Sequence, residues 1–202
     1  MLLFSRIISD SNKFLKNNSL FDTIKNRRSI MPSQFNDSPI EEEELNKVLE
    51  SANWAPTHKK TEPWRFKIFK SKSKDELGKF LANKYKETAK SFSNFRYDKI
   101  ISKFNQSSVV IAICIQRDLK ESVPEWEEIA SVAMAVQNMW LMASHLEIGA
   151  YWSSPSLISY FGDFIDLPKG QKCLGFFYMG NYSGDKIIRI PNPYEDKVKR
   201  FY

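Results

Sequence analysis

Apolar residues recur along much of the chain at the spacing of an α-helix. Positions three or four apart predict helices over residues 20–28, 39–53 and 73–89, and a longer helix over residues 124–146. Nearly every face of the longest helix is apolar, which is typical of a helix in the middle of a protein or at a large interface. We therefore expect residues 124–146 to form the centre of the fold or a contact surface.

Two capping signals set the expected ends of these helices. Ser38 is the predicted N-cap of the second helix, because Pro39 then takes the first helical position and Glu41 follows three residues after the serine. Gly149 is expected to end the longest helix in a left-handed conformation. Residues 90–108 predict a polar connector without an element of its own.

Strand patterns lie between the predicted helices. Residues 63–70 alternate between apolar and polar, which predicts a strand with one buried face. The uninterrupted apolar runs at 109–116 and 173–179 are typical of strands buried on both faces, and residues 150–153 predict a further short strand. Helices and strands therefore interleave, and the predicted fold class is α+β, one layered domain over residues 19–202. Residues 1–18 predict a leader, and the chain beyond Gly184 predicts an extended arm.

Composition narrows the possible functions. The chain has 202 residues, and its net charge of +6 comes from cations scattered among 24 acidic residues. A nucleic-acid-binding protein needs a basic stripe, so we expect no nucleic-acid partner. No apolar run is long enough to span a membrane, and the N-terminus lacks the features of a secretory signal. Cys114 and Cys173 each lie in an apolar run, which predicts buried free thiols, a reducing compartment and a cytoplasmic location.

Candidate chemistry begins at Arg27, Arg28 and Ser29, where the first predicted helix ends. Two guanidiniums and a hydroxyl can bind a phosphate dianion through charge-assisted hydrogen bonds. The alternative is a solvated helix C-terminus, where arginine is favoured in any case. Glu125, Glu127 and Glu128 are candidates for acid–base work, but their place at a helix start favours compensation of the helix dipole. The glycine-rich loops of Rossmann and P-loop nucleotide sites are absent from the sequence.

Several motifs agree in order with one known family. RRSI, a capped helix, APTHKKTEPWRFKIF, SVAMAVQNMWLMASHLEIG, AYWSS and LGFFYMGNY follow one another from about residue 20 to the end. This series resembles the FMN-dependent nitroreductase family. The segments Ala55–Lys59, Val123–Glu127 and Trp152–Ser154 most resemble its small YdjA-like subgroup.

The resemblance implies roles for particular residues. Arg27, Arg28 and Ser29 would contact the FMN phosphate and flavin edge, and Arg189 would be a second phosphate cation. A salt bridge from Arg189 to Asp185 or Glu195 is the alternative. The remaining implied flavin contacts are Trp54 and His58, supplied across a dimer interface, and Trp152, Ser153 and Ser154 along the other edge.

The resemblance also implies the fold and the reaction. The expected fold is a mostly antiparallel central sheet flanked by helices, in a homodimer with FMN at the interface and an arm that wraps the partner. The expected activity is hydride transfer from NADH or NADPH through flavin to a nitroaromatic, a quinone or a similar electrophile. Lys60, Glu62, Trp54 and Ser153 depart from the family pattern. Lys59 or Lys60 would place positive charge near the ring, whereas Trp54 could cover it and leave a flavin-binding protein with little turnover.

Overall fold

The computed structural model describes residues 19–184 and 188–202, and its centre is one antiparallel sheet. Four strands form it: β1 (Trp64–Lys70), β2 (Val109–Gln116), β3 (Gly149–Ser153) and β4 (Gln171–Gly180). Their spatial order is β1-β2-β4-β3, so β2 and β4 lie in the middle. The predicted class, an α+β fold with an antiparallel sheet, is confirmed.

Helices cover both faces of this sheet. Among the described residues they are α1 (Leu20–Asn26), α2 (Glu42–Ala52), α3 (Ser71–Thr88), α4 (Asn94–Asn105), α5 (Glu125–His145) and α6 (Phe161–Phe164). Short 3₁₀ turns occur at Pro32–Gln34, His58–Lys60, Ser156–Tyr160 and Glu195–Lys197. No described helix is long and apolar enough to cross a membrane.

The pattern of β2 explains why the protein has two apolar cores. Its alternate residues point to opposite faces, and the first seven are buried. Ile111 and Ile113 pack in the core that contains α2 and α5, whereas Val110 and Ala112 pack in the core that contains α3, α4 and α6. A strand covered on both sides cannot carry polar residues on either face, hence its uninterrupted apolar sequence.

Three local predictions were wrong. The expected polar connector contains α4, whose N-cap is Ser93. Its residues Tyr97, Ile100, Ile101 and Phe104 follow the spacing of an α-helix, a pattern that the sequence analysis did not use. The second helix begins at Glu42 after Glu41, which forms the capping box in place of Ser38. Gly149 lies in β3, and the left-handed residue after α5 is Glu147, with φ of 61°.

Gly149 is needed for a different reason, which is a close approach between elements. A Cβ atom at this position would lie 2.7 Å from the Phe35 ring and 3.0 Å from the Gly180 carbonyl oxygen. The chain therefore has glycine here because β3 and the segment after α1 are in tight contact.

The remaining predictions concern the two cysteines and the two ends of the chain. Cys114 and Cys173 are buried and free, as predicted, and they face each other between β2 and β4. Residues 188–202 are exposed along their whole length, with one 3₁₀ turn. The predicted leader, residues 1–18, lies outside the described residues, and so does Asp185.

Candidate functional site

Arg27, Arg28 and Ser29 lie in an extended segment directly after α1. Helix α1 ends at Asn26, two residues earlier than predicted, and Arg27 already has extended backbone angles. The Ile30 amide donates to the Ala150 carbonyl of β3 at 3.0 Å, and the Trp140 indole of α5 donates to the Arg28 carbonyl at 3.3 Å. The segment is thereby fixed between the edge of the sheet and the long helix.

A cavity of about 460 Å³ lies between this segment and the C-terminal arm. Its lining residues are Arg27, Arg28, Ser29, Ile30, Ile188, Arg189 and Ile190. We call it the arginine pocket. None of these lining residues is acidic, and the pKa of the Arg27 guanidinium is lowered by burial and by the Arg189 and Arg28 charges. The pocket therefore brings three guanidiniums to one cavity whose lining has no acidic residue.

The two adjacent arginines have different surroundings. The Arg27 guanidinium carbon lies 4.6 Å from the centroid of the Trp140 ring, within the range of a cation–π contact. The Arg28 guanidinium donates from Nη1 to the carbonyls of Lys25 and Arg27, each at 2.8 Å, and so caps the end of α1. Arg27 is held by a ring, whereas part of the Arg28 side chain has a structural task.

Trp140 is a site residue that the sequence analysis missed. The apolar pattern of residues 124–146 accounts for Trp140 only as a packing residue, and its ring does pack edge-on against Phe177, with 5.6 Å between the ring centroids. The hydrogen bond from its indole nitrogen to the Arg28 carbonyl and its contact with the Arg27 guanidinium both depend on where the segment after α1 lies. Nothing in the local sequence gives that information.

The predicted Trp152–Ser154 segment occupies the end of β3 and the residue after it. The Trp152 indole lies against Gly175, where a Cβ atom would be 2.3 Å from Nε1. This Nε1 atom is buried and has no hydrogen-bond partner in the described part of the protein. Ser153 is half-buried and Ser154 is exposed. The indole N–H is therefore enclosed against β4, and Trp152 does not line the arginine pocket.

A comparison with protein families identifies the chain. The sequence profile of the nitroreductase family matches residues 24–181, which is most of the chain. The chain belongs to the nitroreductase family. The resemblance inferred from its motifs is confirmed, and so is the nitroreductase fold.

Two similar proteins are provisionally named NAD(P)H nitroreductases. YfhC of Bacillus subtilis is 27% identical over 140 residues, which cover 69% of this chain and 71% of YfhC. YdjA of Escherichia coli is 24% identical over 155 residues, which cover 75% of this chain and 84% of YdjA. A provisionally named nitroreductase from Desulfovibrio desulfuricans, solved in complex with FMN, matches with a TM-score of 0.70 and 20% identity, over 93% of this chain and 99% of that one. This last likeness shows a shared fold.

Trp54 and His58 lie away from the arginine pocket in this nitroreductase chain. Trp54 is 80% exposed at the end of α2 and lines a cavity of about 560 Å³ between α1, α2 and α5, together with Met142 and His145. His58 Nδ1 lies 2.5 Å from Glu127 Oε2 at the start of α5. A single chain therefore brings together Arg27, Arg28, Ser29 and Arg189 but not these two residues. Their contribution across a dimer interface stays a prediction.

The loop that contains His58 is fastened to the loop before α5. Lys59 Nζ donates to the Ser122 carbonyl at 2.8 Å, so this ammonium group links the two loops. Each candidate glutamate at the start of α5 has a basic partner on another element: Lys172 for Glu125, His58 for Glu127 and Arg117 for Glu128. These ion pairs join elements, and none of the three carboxylates lines the arginine pocket.

Proposed function

We propose that this nitroreductase-family chain is an FMN-dependent oxidoreductase. It would take hydride from NADH or NADPH and reduce a nitroaromatic, a quinone or a similar electrophile. The observation that carries this proposal is the arginine pocket, where Arg27, Arg28, Ser29 and Arg189 face one cavity without a carboxylate in its lining. The names of YfhC and YdjA, and the FMN complex of the Desulfovibrio relative, support it.

The residues present fit the phosphate of FMN. The pKa of Arg27 is lowered first by burial and then by the Arg189 and Arg28 charges, and a phosphate dianion would offset the repulsion between these cations. A guanidinium binds such a group through charge-assisted hydrogen bonds of about 1.5–3 kcal/mol each. Ser29 is exposed beside the two arginines and has a hydroxyl to donate. The positive charge of the pocket and its hydrogen-bond donors therefore both fit a phosphate group.

Flavin, when bound, supplies the hydride-transfer chemistry. The protein side chains have binding and positioning tasks. The Trp140 ring holds the Arg27 guanidinium through a cation–π contact. No side chain needs to act as a nucleophile, and substrate protonation would come from water.

Exposed apolar residues support the proposal of a homodimer. Helix α1 buries none of its residues, and Leu20 and Phe21 are 72% and 70% exposed. The arm adds exposed Ile188, Ile190 and Phe201. Apolar groups this numerous on a monomer mark an interaction surface. In a dimer, Trp54 and His58 would reach the flavin of the partner, and the arm would wrap it. A monomer at micromolar concentration in sedimentation equilibrium would contradict this part.

The first experiment is the visible absorption spectrum of the purified protein, with mass identification of any released chromophore. Arg27→Ala should then weaken FMN binding by about 10- to 140-fold, which is the loss of one charge-assisted bond of 1.5–3 kcal/mol. Arg96→Ala is the matched control, because Arg96 is exposed on α4 and does not line the pocket. A colourless protein that also fails to take up added FMN would refute the proposal.

A second candidate function is flavin storage or sensing with little turnover. The observation that favours it is the exposed Trp54 ring, which stands where the family subgroup has arginine. Anaerobic addition of NADPH to the flavin-loaded protein separates the two functions. Rapid bleaching of the flavin absorbance supports the oxidoreductase, and a spectrum unchanged over minutes supports storage or sensing.

A further inference from the structure

A second positively charged cavity lies at the other end of the sheet. Its volume is about 690 Å³, and it is formed by the loop before β1, the loop after β2 and the loop before β4. The arginine pocket adjoins the start of β3, which pairs with the end of β4. The ten residues of β4 therefore separate the two cavities by roughly 30 Å. We call the second cavity the lysine pocket.

Positive side chains outnumber negative ones in the lining of the lysine pocket. Five cations and one carboxylate lie there: Lys59, Lys60, Arg117, Lys120, Lys169 and Asp118. The carboxylate of Asp118 is already occupied, because it accepts hydrogen bonds from the Lys120 amide and from the amide and hydroxyl of Ser122. These bonds, the hydroxyl first, lower the pKa of Asp118. Asp118 therefore holds its own loop in shape.

Two of the five cations already have partners within the protein. Arg117 pairs with buried Glu128, and Lys59 donates to the Ser122 carbonyl. The other three, Lys60, Lys120 and Lys169, are exposed and have no carboxylate within ion-pair distance in residues 19–184 and 188–202; the charge of Lys120 does act on Asp118, as the smallest of the causes that lower the Asp118 pKa. Each comes from a different loop. Three ammonium groups around one cavity repel one another unless an anion lies between them.

We propose that the lysine pocket binds the phosphate group of a small phosphorylated molecule. A phosphate carries nearly two negative charges and offers three acceptor oxygens, which matches three ammonium groups better than a single carboxylate does. The cavity is larger than one phosphate ion, so it has room for part of the molecule that carries the group. Two sources share this chemistry: a free phosphate ester, and the 2′-phosphate that distinguishes NADPH from NADH.

The first test is calorimetric titration of the protein with inorganic phosphate at low ionic strength. A triple variant, Lys60→Gln, Lys120→Gln and Lys169→Gln, should weaken phosphate binding by about tenfold or more, since each ammonium contributes a separate charge contact. The control triple variant changes three exposed lysines of α3 and the residues after it: Lys79→Gln, Lys86→Gln and Lys90→Gln. It removes the same charge and should stay within about twofold of the wild type.

A second comparison separates this site from the arginine pocket. Phosphate binding at the lysine pocket should survive Arg27→Ala. FMN content should be unchanged in a double variant, Lys120→Gln with Lys169→Gln, which keeps Lys60 in place. This readout needs no turnover, so it stands even if the proposed oxidoreductase activity fails. Binding lost in Arg27→Ala, or lost equally in both triple variants, or absent from the wild type, would overturn the proposal.

A comparison of the KM values for NADPH and NADH shows which molecule carries the phosphate. If the phosphate belongs to NADPH, the double variant Lys120→Gln with Lys169→Gln raises the KM for NADPH about tenfold and leaves that for NADH unchanged. If it belongs to a separate ester, both KM values stay the same while the calorimetric binding is lost. Either result supports the site and assigns its ligand.

Discussion

Removal of the Glu128 carboxylate tests how the end of the sheet is joined to the long helix. Glu128 is 1% exposed in the first turn of α5. One of its oxygens accepts from Arg117 Nη1, and the other accepts from the Asp118 amide at 3.0 Å. Glu128→Ala would therefore leave a half-buried cation and a backbone amide without their acceptor.

The magnitude follows from burial. Removing one partner of a buried ion pair costs about 3–5 kcal/mol, because the other charge stays behind without compensation. The Arg117 side chain is 18% exposed, so water can still reach it, and we expect the lower end, about 3 kcal/mol. Glu128→Gln keeps the shape and one acceptor oxygen, and should cost about 1–2 kcal/mol.

Urea unfolding at fixed protein concentration measures these changes, with far-UV circular dichroism to show that each variant is folded. Glu43→Ala is the control, because Glu43 pairs with Lys47 on an exposed helix face and its removal should cause no measurable loss. Arg117→Ala with Glu128→Ala completes a double-mutant cycle, and the double variant should lose less than the sum of the two singles. A loss below about 1 kcal/mol for Glu128→Ala would refute the reasoning.

Two further predictions concern packing and pH. Gly175→Ala should destabilise the protein by about 1–3 kcal/mol in the same assay, because its Cβ would overlap the Trp152 indole and φ there is 152°. Gly162→Ala, whose Cβ would only make an ordinary contact with Leu167 at 3.8 Å, should cost nothing measurable, and equal effects would contradict this. Asp118 has a lowered pKa in the folded state, so its stabilisation is present above the unfolded value of about 4 and is lost as the pH falls further. The Tm gap between wild type and Asp118→Asn should accordingly be largest above pH 5, and a gap that grows in acid would exclude this cause.

The elements of the central sheet could be predicted because their patterns are local. The run Val109–Gln116 is apolar at every position but the last, and only a strand covered on both faces needs that sequence. Helix α5 was located to within a residue at each end for the same reason. Helix α4 was missed although Tyr97, Ile100, Ile101 and Phe104 have helical spacing, because the many polar residues around them made the segment look like a connector.

Part of the candidate site could also be predicted. Arg27, Arg28 and Ser29 stand in sequence beside a helix end, and their chemistry suggests a phosphate without any knowledge of the fold. The sequence did not show that Arg28 caps α1 or that Arg27 rests on Trp140. Hydrogen bonds and ring contacts between distant segments depend on the path of the chain, which no local pattern records.

The amino-acid sequence by itself determined the strands, the longest helix, the buried thiols and the phosphate-binding candidate, because side-chain period and residue chemistry act over a few neighbouring positions. Only the tertiary structure decided which distant residues share a cavity. It brought Arg189 to Arg27 in one pocket, and it placed Lys60, Lys120 and Lys169 around another. The physical reason is that strand pairing and helix packing fix the positions of loop ends, and charges that are far apart in the chain then meet at those ends.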